Sequence, residues 1–259
     1  MHTVQLDAQK LKSVVDEHTH AVIDLLQKFR IPVRIVGGAV RDMLLNRTPR
    51  DIDLVADADP STLIYIFDTH GIDVDYGGIV HGTVKAVFGS GSNQQKVDVS
   101  SLGWRIRTGA QGVESAGTHS WAKDSALRDL TINSMSMSMD GTVYDYCGGI
   151  EDLKNQTVRM GPDSQHSFVH DPNGIMRYFR AVSMFEHPRI IKSDLQWLKK
   201  NVHLLQMAAD DKKAQMNWIS ILRGTNRDSA IRLMCSLGVH KYLDFVTCGS
   251  TQNENQPAD

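Results

Sequence analysis

The stretch from Ile35 to Val55 constrains this chain more than any other. Ile35 and Val36 form an apolar run that stops at Gly37 and Gly38, and Ala39 to Leu45 reads as a short helix. A strand, a glycine turn and a helix start in that order leave backbone N–H groups where a phosphate can approach closely. Arg41 adds a fixed positive charge one turn into the helix. After a loop containing Pro49, the run Asp51, Ile52, Asp53, Leu54, Val55 alternates with a period of two. That pattern predicts a strand with both carboxylates on one face and Ile52 and Leu54 on the other. Paired carboxylates on one face can hold divalent cations, so the unit points to metal-assisted chemistry on a nucleoside triphosphate. Either feature alone is more often a plain turn or a solvated acidic edge; their order and closeness carry the functional reading.

At 259 residues the chain is long enough for one large or two modest domains with a sizeable core. The formal net charge of -2 provides no global attraction to nucleic acid, so any RNA contact must come from a local basic surface. No long uncharged apolar segment is present to span a membrane, and the first residues lack the pattern of a signal peptide. The three cysteines, Cys147, Cys235 and Cys248, are odd in number and widely spaced, which argues against both a disulfide framework and a zinc site. The expected setting is reducing and cytoplasmic.

Along the chain, apolar residues at helical spacing from Leu11 to Phe29 predict one opening amphipathic helix ended by Pro32. A helix from Pro60 to about Thr69 follows, then strands over 73–76, 83–88 and 96–100. Asp98 alternates with Val97 and Val99; it is either a third metal ligand or an outward-facing surface aspartate. Residues 103–123 lack any period and read as a mobile loop, and Asp124 to Met139 regains helical character. A short strand over 142–146 and a glycine turn lead into a mostly helical remainder. There Asp171 and Pro172 open one helix, Ser193 caps another, and two more run over 212–222 and 229–237. The histidines form no ligand-spaced pair with cysteine, and Lys199, Lys200, Lys212 and Lys213 are either a local basic surface or a solvated face.

Four groups of residues now line up. Gly37, Gly38, Ala39, Val40, Arg41, Asp42 with Arg50 to Val55 come first, and Arg128 to Met135 second. Gly148 to Leu153 with Arg159 and Gly161 come third, and Asp171, Pro172, Ile175, Arg177 and Arg180 fourth. Together they resemble the signatures of the class II tRNA nucleotidyltransferase and bacterial poly(A) polymerase family, from roughly Ile31 to Phe185. The resemblance implies an α+β fold: a polymerase-β-like nucleotidyltransferase head with a small mixed sheet and flanking helices, followed by an all-helical neck. Bounds follow at 1–145 for the head, 146–247 for the neck, which would bind nucleotide and RNA, and 248–259 for a disordered tail.

By the same resemblance, Asp51 and Asp53 are the catalytic and metal-binding residues, holding two Mg2+ ions, and strand alternation adds Asp98 as a third candidate for both roles. Gly37, Gly38, Arg41, Arg128, Asp129, Asn133, Asp171, Arg177 and Arg180 would bind the nucleotide, with CTP and ATP as substrates. The implied activity is template-independent transfer of nucleoside monophosphates to an RNA 3′ end, most specifically CCA addition to tRNA. Poly(A)-type or single-nucleotide transfer with altered base choice is the alternative, and beyond it a catalytically weak RNA-binding protein that retains the fold. Three departures stand out. Leu127 replaces the first of two arginines in the second signature, and His170 and Gly174 replace a glutamate and an arginine on the base-reading helix. Family members commonly continue into further helical domains that hold the tRNA. The expectation is therefore that a smaller surface, a homodimer or a partner subunit would take that role, or that the acceptor is not tRNA.

Overall fold

A computed structural model describes residues 1–103, 106–109, 112–115 and 120–248. It divides into two compact units, Met1–Asn155 with Arg159–Gln165, and Gln156–Val158 with residues from His166 onward.

The first unit begins with strand β1 (His2–Gln5) and helices α1 (Ala8–Val14) and α2 (Glu17–Lys28). The single opening helix expected from periodicity is thus two. Asp16 explains the break: its Oδ1 accepts from the Thr19 amide at 2.9 Å, and this cap starts a new helix while Val15 is extended. Strand β2 (Val33–Val36), α3 (Gly38–Leu44), β3 (Asp53–Ala56) and α4 (Pro60–Thr69) follow. Next come β4 (Asp73–Asp75), β5 (Thr83–Phe88), β6 (Gln95–Ser101) and a hairpin of β7 (Ile106–Gly109) with β8 (Gly112–Ser115). This hairpin replaces part of the expected loop over 103–123, the rest of which lies largely outside the described residues.

Helix α5 (Trp121–Ala126), β9 (Ser136–Met137), β10 (Thr142–Asp145) and α6 (Gly149–Lys154) complete the unit. The α-helix expected from Asp124 to Met139 therefore stops at Ala126, and only a 3-10 turn at Thr131–Asn133 follows it. Backbone pairing takes the chain away from it. The Thr131 amide donates to the Arg159 carbonyl at 3.1 Å, the Gly161 amide donates to the Asp129 carbonyl at 2.9 Å, and Leu130 bridges Met160. Gly161 has no room for a side chain, because a Cβ there would overlap the Arg128 carbonyl oxygen.

The sheet order is β1-β10-β9-β2-β3-β6-β5-β4, antiparallel throughout except for the parallel pair β3 and β6. Register sorts its two faces. Ile35, Met137, Leu54, Val99, Val84 and Ala86 share one face and are all buried. Each such burial contributes about 1.5–3 kcal/mol for the larger side chains, and this face is where the sheet is anchored. Alternation turns Arg34, Ser136, Tyr144, Thr83, Lys85 and Ser100 to the opposite face. Asp53 and Asp98 lie on that polar face as well. Arg34 is held there between two rings, its guanidinium carbon 4.1 Å from the centre of Trp121 and 3.7 Å from that of Tyr144.

The second unit has β11 (Thr157–Val158), most of α7 (Ser164–His170), α8 (Asn173–Met184) and β12 (Arg189–Ile190). Helices α9 (Lys192–Asn201), α10 (Lys212–Leu222) and α11 (Arg227–Ser236) follow. It is helical apart from the two-residue parallel ladder of β11 with β12. Helix α9 is preceded by Ile191 at the cap position, so Ser193 lies within its first turn rather than capping it. The cysteine arithmetic is overturned as well: Cys235 and Cys248 form a disulfide with Cα atoms 5.8 Å apart, leaving Cys147 as the free thiol. Residue count alone could not show that the chain doubles back after α11. The tail expected over 248–259 lies outside the described residues beyond Cys248. Among the described residues, no helix is long and apolar enough to cross a membrane.

Candidate active site

Asp53 opens β3, and Asp51 lies two residues before it in irregular backbone, so the predicted strand is shorter than the alternation suggested. Leu54 pairs with Val99 in the parallel ladder, which places Asp53 beside Asp98 one step earlier, on the polar face. Lys85 pairs with Asp98 across β5 and β6, and its Nζ lies 2.6 Å from Asp98 Oδ2. Although Asp53 keeps an exposed edge, the protein packed around its carboxyl desolvates it and raises its pKa above the ordinary 3.8. Arg128 opposes that shift, the negative charges of Asp98 and Asp51 add to it, and Lys85 opposes it again. Asp53 therefore senses both of the other aspartates electrostatically. Among the described residues they do not bring their oxygens within 4.8 Å of one another as a set, and Lys85 gives a physical reason by holding Asp98.

The glycine turn lies beside a second cluster. Gly37 has φ 74°, which only glycine adopts without cost, and a Cβ there would sit 3.5 Å from Arg128 Nη1. Its amide is already used, donating to the Met135 carbonyl at 3.1 Å, so the phosphate cradle has one donor fewer than the turn alone implies. Beside Gly38, Arg41 donates from Nε to Asp42 at 2.9 Å and from Nη1 to Asn133 Oδ1 at 2.8 Å. Asn133 in turn donates to Asp129 Oδ1 at 3.2 Å. Arg128 donates from Nε and Nη2 to Asp124 Oδ2 at 3.2 and 3.1 Å, which fixes the guanidinium with its Nη1 toward the glycine turn. Arg41, Asn133 and Asp129 are thus linked by hydrogen bonds beside Gly38, Arg128 lies against Gly37 of the same turn, and Arg128 couples electrostatically to Asp53.

The remaining residues belong to the second unit. Asp171 Oδ2 accepts from both Nη atoms of Arg177 at 3.1 Å, and its Oδ1 accepts from the Asn173 amide at 3.2 Å. Arg180 donates to Asn217 Oδ1 at 3.0 Å. Gly174 is filled: the ring of the fully buried Phe168 occupies the space a Cβ would need. Two partners went unnoticed in the sequence, although both left a signal. Lys85 alternates with Val84 and Ala86 on its strand, and Asp124 stands four residues before Arg128 on a helical stretch. Phe168 left none.

Residues 33–159 match the family described as the poly A polymerase head domain. The chain carries a poly A polymerase head. That match contains every candidate residue of the first unit and ends before Asp171, Arg177 and Arg180. CCA tRNA nucleotidyltransferase 1, mitochondrial, of Danio rerio is 30% identical over 263 residues, covering 98% of this chain and 58% of that protein. The Homo sapiens protein of the same name is 35% identical over 181 residues, covering 70% of this chain and 41% of that one. The crystal structure of Bacillus stearothermophilus CCA-adding enzyme in complex with CTP superposes with a TM-score of 0.70 at 26% identity, covering 88% of this chain and 53% of that one. The poly A polymerase head and the residues after it thus span about half the length of these relatives.

Proposed function

We propose that this chain transfers nucleoside monophosphates from a nucleoside triphosphate to the 3′ end of an RNA, with CCA addition to tRNA as the specific reaction. The observation that carries the reading is the electrostatic coupling of Asp53 to Asp51, Asp98 and Arg128 beside the Gly37 turn. Asp51 and Asp53, the latter with its charge disfavoured, are hard-oxygen donors that suit a divalent cation and would hold it. Bound Mg2+ would lower the pKa of an attacking hydroxyl and offset charge on the leaving pyrophosphate. The chain's own part is positional. Arg128 presents Nη1 at the glycine turn for a triphosphate oxygen, and Asp124 fixes its angle. Arg41, locked by Asp42 and Asn133, adds charge at the same turn, and Asp129 offers a carboxylate acceptor for a ribose hydroxyl.

CTP and ATP are the proposed substrates because relatives named for CCA addition, and one solved with CTP, share the head. A second reading, transfer with altered base choice, is favoured by Phe168, which leaves no room at Gly174 for a base-reading side chain. The test is to incubate the chain with magnesium, each labelled ribonucleotide and tRNA lacking its 3′ end, then sequence the products. C and A addition that disappears in Asp51→Ala and Asp53→Ala is expected. Transfer undiminished in both variants overturns the metal-holding assignment. Absence of transfer to any RNA by the unaltered chain leaves an RNA-binding protein that retains the fold.

A further inference from the structure

Cys235 lies in the last full turn of α11, which ends at Ser236. Gly238 then adopts φ 80° and reverses the chain, its amide donating to the Cys235 carbonyl at 3.0 Å. The following turn, Val239–Lys241, carries His240 back over the helix end. Val239, Leu243 and Val246 are buried and pin the segment, so Cys248 returns to the same place. One ligand atom from each of Cys235, His240 and Cys248 lies within 4.8 Å of the other two. A structural disulfide accounts for two sulfurs but not for an imidazole gathered against both.

We propose that, when the cysteines are reduced, Cys235, His240 and Cys248 form a zinc site. Two thiolates and one imidazole are the soft and borderline donors that select Zn2+ over the hard cations suited to the aspartate pocket. Two thiolate charges neutralise the ion, and the three protein ligands leave a fourth position for water or an incoming ligand. Zinc–sulfur and zinc–nitrogen bonds of about 2.3 and 2.0 Å let donors spaced like these reach one ion with small side-chain rotations. The site is gated by oxidation. In the disulfide neither sulfur is a thiolate; a dithiol reductant delivers two electrons and two protons, becoming a disulfide itself, and the two thiols formed lose both protons as the cation binds. The turn after α11 is thereby clamped in either state, by a covalent bond or by a metal.

The test uses the whole chain, oxidised or reduced, loaded with zinc and desalted, with zinc counted by elemental analysis and Co2+ as the spectroscopic probe. Reduced protein should retain about one zinc per chain and give a thiolate-to-cobalt charge-transfer band, which carboxylates cannot produce. Oxidised protein should give neither. Cys235→Ser and Cys248→Ser should lose the band, and His240→Ala should weaken binding by at least the roughly 10–100-fold seen when an outer partner of a metal ligand is removed. Since oxidised and reduced wild type share one sequence, the comparison stands even if a variant misfolds. Equal zinc in both states, or no charge-transfer band in the reduced protein, overturns the proposal.

Discussion

Replacing Gly174 by alanine sets two effects of opposite sign against each other. Gly174 sits in the first turn of α8 and has no positive φ, so alanine suits the backbone and intrinsic propensity favours it by up to about 1 kcal/mol. Against this, the new Cβ would overlap Cδ1 and Cε1 of Phe168 and lie 3.2 Å from its Cγ. Phe168 is fully buried and packs edge-on to Trp197, with ring centres 5.6 Å apart, so it has nowhere to retreat. Overpacking of this kind costs about 1–3 kcal/mol. The overlap falls on a ring rather than a flexible tip, so the upper half of that range applies and packing wins by about 1–2 kcal/mol. At roughly 2–4 °C per kcal/mol, the melting temperature should fall by about 2–8 °C. Differential scanning calorimetry of Gly174→Ala, Phe168→Leu and the double variant reads this directly. The double variant should cost less than the two singles together, because the smaller side chain vacates the contested space. A Gly174→Ala protein as stable as wild type, or more so, refutes the reasoning and reopens that position to a base-reading side chain.

Asp53→Asn tests the charged pocket through pH. Burial and then its acidic neighbours, outweighing Arg128 and Lys85, hold this carboxyl above 3.8, so the folded state binds the proton more tightly. Stability then falls as pH rises from 3.8 toward the folded value and does not return above it. Magnesium-free Asp53→Asn should melt no lower than wild type at pH 7 and show a flatter profile in that window; a clear loss of stability there contradicts it. Magnesium should raise the wild-type melting temperature by mass action, about 2.7 kcal/mol at a hundredfold excess over Kd, and Asp53→Asn should abolish the rise. Asp145 accepts four backbone amides, from Cys147, Gly148 and Gly149 on Oδ1 and from Ile150 on Oδ2, at 2.9–3.0 Å. Urea unfolding of Asp145→Ala should show a loss of about 2–3 kcal/mol or more, and Asp145→Asn a smaller one. Arg34→Met removes a cation from between two rings and should cost about 1–3 kcal/mol in the same assay; an unchanged midpoint would mean the stacking contributes nothing.

The glycine turn, the strand that Asp53 opens and the central strands were legible because strand alternation and glycine punctuation are local signals, whereas alternation wrongly extended that strand back to Asp51. Helix α4 and strand β5 fall where proline, glycine and period-two patterning put them. What escaped was set by partners distant in sequence. Apolar spacing from Leu127 to Met139 looks helical, yet pairing with 159–161 interrupts it, leaving one 3-10 turn at Thr131–Asn133 before the short strand β9. Strand β1 carries no strong alternation and exists because β10 offers it an edge. Within the site, Asp98 was ambiguous in the sequence because its company depends on Lys85 across the sheet, and the Phe168 ring at Gly174 has no sequence signature at all.

The parallel run of β3 with β6 has a consequence for how the molecule matures. Hairpins zip from their turns, whereas parallel neighbours must first close everything from α4 to β5 into a loop, and that entropy is spent before any pairing rewards it. Asp53 and Asp98 should therefore become neighbours late in folding, after the antiparallel pairs on either side of them. Their mutual repulsion should be absent from the folding barrier and present in the finished protein, so Asp53→Asn, which leaves the Lys85–Asp98 pair intact, should slow unfolding while leaving the refolding rate almost untouched. The pocket's tension would then be released by whatever cation arrives, not by the chain's own path to the native state.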